Sequence, residues 1–368
     1  MYRLIISNPK LAASFYKDYS QYILDGVGYF LDGNSVDFTF QDEAKTTIKI
    51  GISQGSPTET FLRMIQNPKY LFHLMTCYPG ELMVIIKFVY GLFQLEEEVL
   101  ANSRLTCDLY HKYYPGNPPV IDHFNTIMHR IFVDWVFEKK DKQGKPLFNK
   151  KKFCQEAGVI ICPYCGVEDI TTSSVPTSKG EMVVKPDVDH FLPKYKYPYL
   201  AMSFANLIPT SVGCNRGRKR TIDPIVGLNP LQVKLQNPYL YDDSKLTFCY
   251  DFNNTNRSSG DAYRVRTTGN NNIRDGYVLM GLDRLYDTKR FLIGELYTQM
   301  AGLAQQYLNF LQNMGIPYSP ERKIGRPDLC LVLGYDESEE SARKHGCYKF
   351  RRDMAYQLIN DSGCQWPW

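Results

Sequence analysis

The chain has 368 residues, longer than a typical single domain, and its apolar fraction of 43% excludes wholesale disorder. A net charge of +4 is too small by itself to imply a polyanionic partner. Ten cysteines scattered over this length are too sparse for a small secreted disulfide scaffold, which points to reduced thiols and a cytoplasmic setting.

The first residues, Met1-Tyr2-Arg3-Leu4-Ile5-Ile6, carry one basic side chain but no apolar core long enough for a signal peptide. Residues 11–24 suggest a helix and 46–52 a single strand. Ser56-Pro57-Thr58-Glu59 has a capping-box pattern with proline at the first helical position, so a helix should start there. Pro79-Gly80 interrupts, and 81–100 reads as a long helix with an almost wholly apolar inner face. Its most apolar run, 82–93, is broken by Lys87 and falls short of the roughly 18 residues that cross a bilayer, so no membrane is expected. After a loop at 115–119, residues 120–137 place Ile121, Phe124, Ile127, Met128, Ile131, Phe132 and Trp135 on one buried stripe. His123 and His129 stand in that helix at a spacing that does not share a ligand, and both read as structural.

Charge is distributed unevenly. Residues 139–220 hold 15 Lys and Arg against 7 Asp and Glu, a local balance of +8 that leaves −4 for the rest. Such a segment is the footprint of a phosphate-binding surface, although 139–152 alone reads equally as a solvated linker. Past it, 171–180 is rich in Ser, Thr, Pro and Gly and reads as a loop. Residues 237–251 and 261–266 alternate like a hairpin, with Ser258-Ser259-Gly260 in its loop. Residues 275–314 carry Leu282, Leu285, Leu292, Leu296, Leu303, Tyr307 and Leu311 on one face, as one long helix or two in succession. A proline-rich loop at 317–327, a last helix at 339–359 and a short tail, Trp366-Pro367-Trp368, complete the chain. Three stretches result: 1–150, mainly helical; 151–225; and 226–368, a hairpin followed by helices.

The middle stretch carries the chemistry. Asp187-Val188-Asp189-His190-Phe191-Leu192-Pro193 lies between Cys162-Pro163-Tyr164-Cys165-Gly166 and the pair Asn206-Leu207-Ile208-Pro209 and Cys214-Asn215-Arg216-Gly217-Arg218-Lys219-Arg220. A strand points neighbouring side chains apart unless it ends between them, and Pro193 suggests that it ends there. Asp189 can then hold a hard divalent ion through oxygen, with Asn215 as a second oxygen donor. His190, whose neutral form prevails near neutral pH, suits a general base. Asn206 is placed to brace the loop through backbone hydrogen bonds and so to orient the imidazole.

These blocks, in order and spacing, resemble an HNH endonuclease of the ββα-metal class, in its His-Asn-Asn variety. The resemblance covers about 60 residues and implies a hairpin whose first strand ends at His190 and whose second lies around 206–209. A helix should begin near Cys214, with the metal between. It makes His190 the general base, Asp189 and Asn215 the ligands of a catalytic Mg²⁺ (or Mn²⁺), and Asn206 the structural middle residue. The implied fold class is α+β, mainly α: a central ββα-metal core flanked by N- and C-terminal helical regions.

Many such nucleases carry two Cys-x-x-Cys pairs around a structural Zn²⁺. Here Cys162, Cys165 and Cys214 match, but Ser211 stands where the fourth thiolate belongs. Cys154, Cys249 or water are candidates for the fourth ligand. Lys194, Lys196, Arg216, Arg218, Lys219 and Arg220 bracket the motif and are expected to hold nucleic-acid backbone, DNA above RNA. Tyr195, Tyr197 and Tyr199 can stack on bases, but beside prolines they read as loop packing. HNH domains within large helical flanks resemble nuclease subunits of bacterial anti-phage systems, which implies a low-specificity effector beside an ATPase or sensor partner. The alternatives are a sequence-specific restriction or homing-type enzyme, and a non-catalytic zinc-clamped binding or scaffold module.

Overall fold

Phe15, Tyr19, Ile23, Val27 and Phe30 recur at helical spacing, and in the computed structural model Pro9–Leu31 forms one helix, α1, with that stripe buried. It is longer at both ends than expected. The structure describes residues 9–39, 47–93, 120–170, 173–177, 180–184, 186–225, 235–253, 256–315, 333–334, 336 and 338–361. The expected loops at 115–119 and 317–327, the end of the helix at 81–100 and the tail at 366–368 lie outside the described residues. The described chain is mainly helical, with four two-stranded sheets.

Two compact units emerge. One comprises Leu4–Gly158 with Thr171–Val233, the other Val159–Ile170 with Lys234–Trp368 and Met1–Arg3. The stretch 151–225 is therefore not a unit of its own. Its hairpin folds with the N-terminal helices, and its Cys162–Gly166 loop folds with the C-terminal part.

In the first unit, β1 (Val36–Thr39) pairs antiparallel with β2 (Thr47–Ile50). Ser56 caps α2 (Pro57–Gln66), accepting the Glu59 N–H at 3.1 Å, while the Glu59 carboxylate binds the Gly55 N–H and so completes the cap one residue early. Asn67 caps α3 (Pro68–Thr76) by accepting the Lys69 N–H at 3.0 Å. Pro79–Glu81 forms a tight turn into α4 (Leu82–Leu92). Among the described residues no single helix is long and apolar enough to cross a membrane.

Val120–Met128 (α5) passes into a π-helical stretch, His129–Phe137, whose end is closed by Glu138 N–H on Val133 O at 2.8 Å. The wider winding turns the apolar stripe. Val133, Val136 and Phe137 become buried, and Trp135 is left half-buried. At the crossing of α1 and this stretch, a Cβ on Gly26 would lie 3.1 Å from both Ile131 and Trp135, so glycine allows the close approach. His129 Nδ1 lies 3.3 Å from an Asp134 carboxylate oxygen.

Helix α6 (Lys150–Glu156) follows. The expected loop at 171–180 instead contributes to a hairpin, β3 (Ser173–Thr177) with β4 (Gly180–Val184), through antiparallel pairing that runs from Ser173 opposite Val184 to Thr177 opposite Gly180. Next come β5 (Asp187–His190) and β6 (Leu207–Thr210), then a seven-residue π-helical turn, Gly213–Lys219. Phe15, Phe148, Phe153 and Phe204 form an edge-to-face cluster beneath them, with centroids 5.4 to 6.2 Å apart.

In the second unit, β7 (Leu246–Phe252) pairs with β8 (Tyr263–Gly269), as the alternation predicts. The expected helix at 275–314 is three: α7 (Asn271–Leu279), α8 (Leu282–Asp287) and α9 (Phe291–Asn313), the first break falling at Gly281 with φ 62°. The last helix is likewise split, into α10 (Glu339–Lys344) and α11 (Tyr348–Asn360), at Cys347 with φ 60°.

Helix α11 also seals a strand edge. Asp353 accepts the Phe248 N–H at 3.0 Å, and the Gln357 amide both accepts from Tyr250 N–H and donates to Tyr250 O, at 2.9 Å each. Asp361 accepts the Tyr250 hydroxyl at 3.1 Å. Residues four apart on one helical face thus stand in for a neighbouring strand. Lys349 and Arg352 balance the buried Asp353, at 3.0 and 3.2 Å. Replacing Gln357 by Leu strips both Tyr250 backbone groups of their partner and should cost about 2 to 4 kcal/mol in urea unfolding. An unchanged midpoint would show that the amide is dispensable to this edge.

Candidate active site

Every residue of β5 is buried, and the strand's pleat divides its functional side chains between two sides. Asp187 and Asp189 reach the Gly213–Lys219 turn. Asn215 Nδ2 donates to Asp187 Oδ2 at 3.0 Å, Arg216 Nε to the same oxygen at 2.9 Å, and Lys219 Nζ lies 3.0 Å from Asp189 Oδ2. Strand residues two apart therefore face turn residues four apart. Lys150 Nζ reaches Asp187 Oδ1 at 2.8 Å from the start of α6. Burial would raise the Asp187 carboxyl pKa, but Lys150, then Arg216 and the Val188 N–H, together hold it below the usual carboxylate range.

His190 packs its ring edge against Phe137, with centroids 4.5 Å apart, and brings Nε2 to 3.0 Å from the Ala201 carbonyl. A carbonyl only accepts, so Nε2 carries the proton and Nδ1 keeps a free lone pair. Burial, with Lys194 assisting, pushes the imidazole pKa down to about 3 even though the Ala201 bond opposes the shift. The ring is neutral at ordinary pH.

Asn206 holds the loop that supplies this carbonyl. It is fully buried, donates from Nδ2 to Leu192 O at 3.1 Å and Leu200 O at 3.0 Å, and accepts the Leu192 N–H at 2.7 Å. Its own carbonyl takes the Phe191 N–H at 2.9 Å. Both ends of the 191–206 loop are thereby tied next to Ala201, which is the bracing that its sequence position suggests.

Asp187, Asp189, His190 and Asn215 line one cleft of about 1230 Å³, together with Lys140, Lys145, Lys150, Lys151, Lys194, Arg216 and Arg220. The expected nucleic-acid contacts divide accordingly. Lys194, Arg216 and Arg220 reach the cleft. Lys194 also pairs with Glu138, and Arg216 stays 70% exposed along its side chain while holding Asp187. Lys219 does not fit that role: it is fully buried, committed to Asp189 and to His190 O at 2.8 Å. Lys196 is engaged by Asp223 at 2.7 Å, and Lys196 and Arg218 are outside the described lining of the cleft. Tyr197 and Tyr199 are buried, as loop packing requires, while Tyr195 lines the cleft and donates to Thr221 O.

Asp187 and Asn215 together give an all-oxygen donor set beside Asp189, suited in type to a hard divalent cation. Both expected ligands have protein partners: Asn215 is hydrogen-bonded to Asp187, and Asp189 pairs with Lys219. Lys219 Nζ lies 3.3 Å from Asp189 Oδ1 and 3.0 Å from its Oδ2. Period-two spacing from Asp189 was the available signal for Asp187; nothing local marks Lys150, Phe137 or Ala201, which arrive from elsewhere in the chain.

The thiols belong to different units. In the second unit Cys162–Gly166 forms a narrow knuckle. Cys162 N–H binds Glu168 O at 2.8 Å, Gly166 N–H returns to Cys162 O at 2.7 Å, and Gly166 takes φ 66°. The Val167 and Glu168 N–H groups both donate to Cys165 Sγ at 3.4 Å. Two amide donors on one sulfur suit a thiolate, and Cys162 and Cys165 belong to a group of thiols that could hold a metal ion. Tyr286 and Cys347 anchor it by bonds to Cys165 O and Gly166 O. Cys214, in the first unit, is buried. Cys154 donates its S–H to Asp187 O at 3.7 Å and has its pKa pushed up to about 12 by burial, so it is a poor fourth ligand. Cys249 is half-buried on β7 and also raised by burial.

Searches of family models, curated proteins and solved structures return no match to this chain.

Lys219→Met leaves Asp189 buried without its cation and should cost about 3 kcal/mol or more in metal-free buffer. Adding Mg²⁺ should restore much of that melting temperature, and more than it raises the wild type. Equal shifts in both proteins would remove Asp189 from the set of metal ligands.

Proposed function

We propose that this chain is a metal-dependent HNH endonuclease that hydrolyses phosphodiester bonds of DNA. The observation that carries the reading is His190, its Nε2–H fixed on the Ala201 carbonyl, lining a cleft whose rim is rich in Lys and Arg. In this reading His190 takes a proton from the attacking water at Nδ1, while its Nε2–H stays on the Ala201 carbonyl. Phe137 holds the ring plane and excludes water from one side. Asn206 fixes the loop, and through it the Ala201 oxygen, so it positions the base without touching substrate. Asp189 and Asn215, with Asp187 beside them, would hold the divalent ion. Stabilisation of the departing oxyanion is what such an ion supplies when bound. Lys194, Arg216 and Arg220 would hold phosphate without reading bases.

We also propose a structural zinc on Cys162 and Cys165, with Cys214 as the third thiolate of the sequence pattern. The biological role that fits is a low-specificity effector of bacterial anti-phage defence, working with a partner protein.

Nicking of supercoiled plasmid with Mg²⁺ or Mn²⁺ should be slower by at least about 100-fold in His190→Ala. Equal nicking in the variant would remove His190 as the base. Extended digestion should smear a mixed-sequence plasmid, whereas discrete fragments would establish a restriction-type enzyme instead. Plasmid loss in cells carrying this chain alone would exclude dependence on a partner. Elemental analysis should find about one zinc per chain, lost in Cys165→Ser together with several degrees of melting temperature. Zinc-free protein with an unchanged melting curve would leave the knuckle as ordinary packing.

A further inference from the structure

Residues 139–152 hold seven lysines and a single acid, Asp141. They are not a loose linker. Lys140 bridges to Pro146, Leu147 N–H binds Lys139 O at 2.8 Å, and Asp141 N–H binds Lys145 O at 2.9 Å, so 139–147 is a narrow antiparallel ribbon. Gly144, at φ 77°, makes its turn. Asp141 spends one carboxylate oxygen on the N–H groups of Gln143 and Lys145, at 2.9 and 2.8 Å, which ties the only acid of the ribbon into its own tip. Lys140, Lys142, Lys145 and Lys151 are exposed and make no ion pair among the described residues.

The ribbon's root is rigid. Phe148, 1% exposed, stacks on Phe137 with centroids 4.8 Å apart, and Phe137 is the ring that touches His190. Lys140, Lys145, Lys150 and Lys151 line the cleft with His190. One aromatic stack therefore joins the proposed base to a preformed row of ammonium groups.

We propose that the 139–147 ribbon, with Lys151, is a nucleic-acid clamp that carries the phosphodiester backbone across the cleft toward His190. The proposal deepens the nuclease reading and rests on it for the identity of the polyanion. The ribbon offers charge without base-reading groups, so it takes backbone of any sequence, and DNA and RNA share the chemistry it recognises. Because its shape is held by backbone bonds, little ordering opposes binding.

The test is binding by the full chain carrying His190→Ala, and by wild type without divalent ions, to labelled duplex DNA, single-stranded DNA and RNA between 50 and 200 mM salt. Combined K140E, K142E, K145E and K151E should weaken binding at least tenfold. It should also flatten the dependence of log affinity on log salt by about 3, near the 0.9 per phosphate contact expected of duplex DNA. Exposed lysines leave the fold intact, which circular dichroism checks. Unchanged affinity and slope would overturn the clamp, as would parent protein that binds no nucleic acid. The arms with DNA and RNA identify which backbone it prefers. Cleavage by a quadruple variant that binds normally would sink the clamp and spare the nuclease. Lysine-dependent binding by a wild type that never cleaves would do the reverse.

Discussion

Two carboxylates buried side by side on one short strand need cations, and much of the first unit is arranged to deliver them. Asp187 draws Lys150 and Arg216, and Asp189 draws Lys219, so three cationic side chains compensate two acids. An uncompensated buried charge costs several kcal/mol, which makes this balance a condition of folding before it is a feature of chemistry. Arg216 and Lys219 come from the turn that directly follows the hairpin, and Lys150 comes from α6. The charge balance thus docks two separate elements, the turn and α6, against β5.

The same arrangement ties the acid to the residue that follows it. Lys219 is held by Asp189 and by the His190 carbonyl, so the residue that neutralises the acid also grips the backbone of the proposed base. Two π-helical stretches frame this geometry, His129–Phe137 and Gly213–Lys219. The first turns Phe137 toward His190. The second lets Asn215 and Lys219 face alternate residues of the strand. Irregular winding is costly, and here both instances fall at the candidate site.

Much of the local structure was legible in the chain. The Ser56 cap and the β7–β8 hairpin rest on contacts close in sequence or on simple periodicity, the bracing role of Asn206 on its residue type and place, and the β5–β6 hairpin ending at His190 on the HNH resemblance. Helix breaks at Gly281 and Cys347 were harder to read, because the apolar period continues across them while the backbone turns left-handed. The hairpin at 173–184 was masked by the Ser, Thr and Gly content of a segment whose pairing, not its composition, makes it a strand pair.

Residue types and spacing determined which side chains are chemically able to act: an acid and an imidazole in succession, two amides, paired thiols and a lysine-rich stretch. Their partners were decided only by the fold. Lys219 reads as a surface cation, since it follows two other basic residues, yet the pitch of its turn sends it inward to Asp189. The 139–152 segment reads equally as linker or phosphate-binding surface until backbone bonds close 139–147 into a ribbon. Pairing depends on which element packs against which, and packing is set by apolar surfaces far along the chain, so no local pattern contains it.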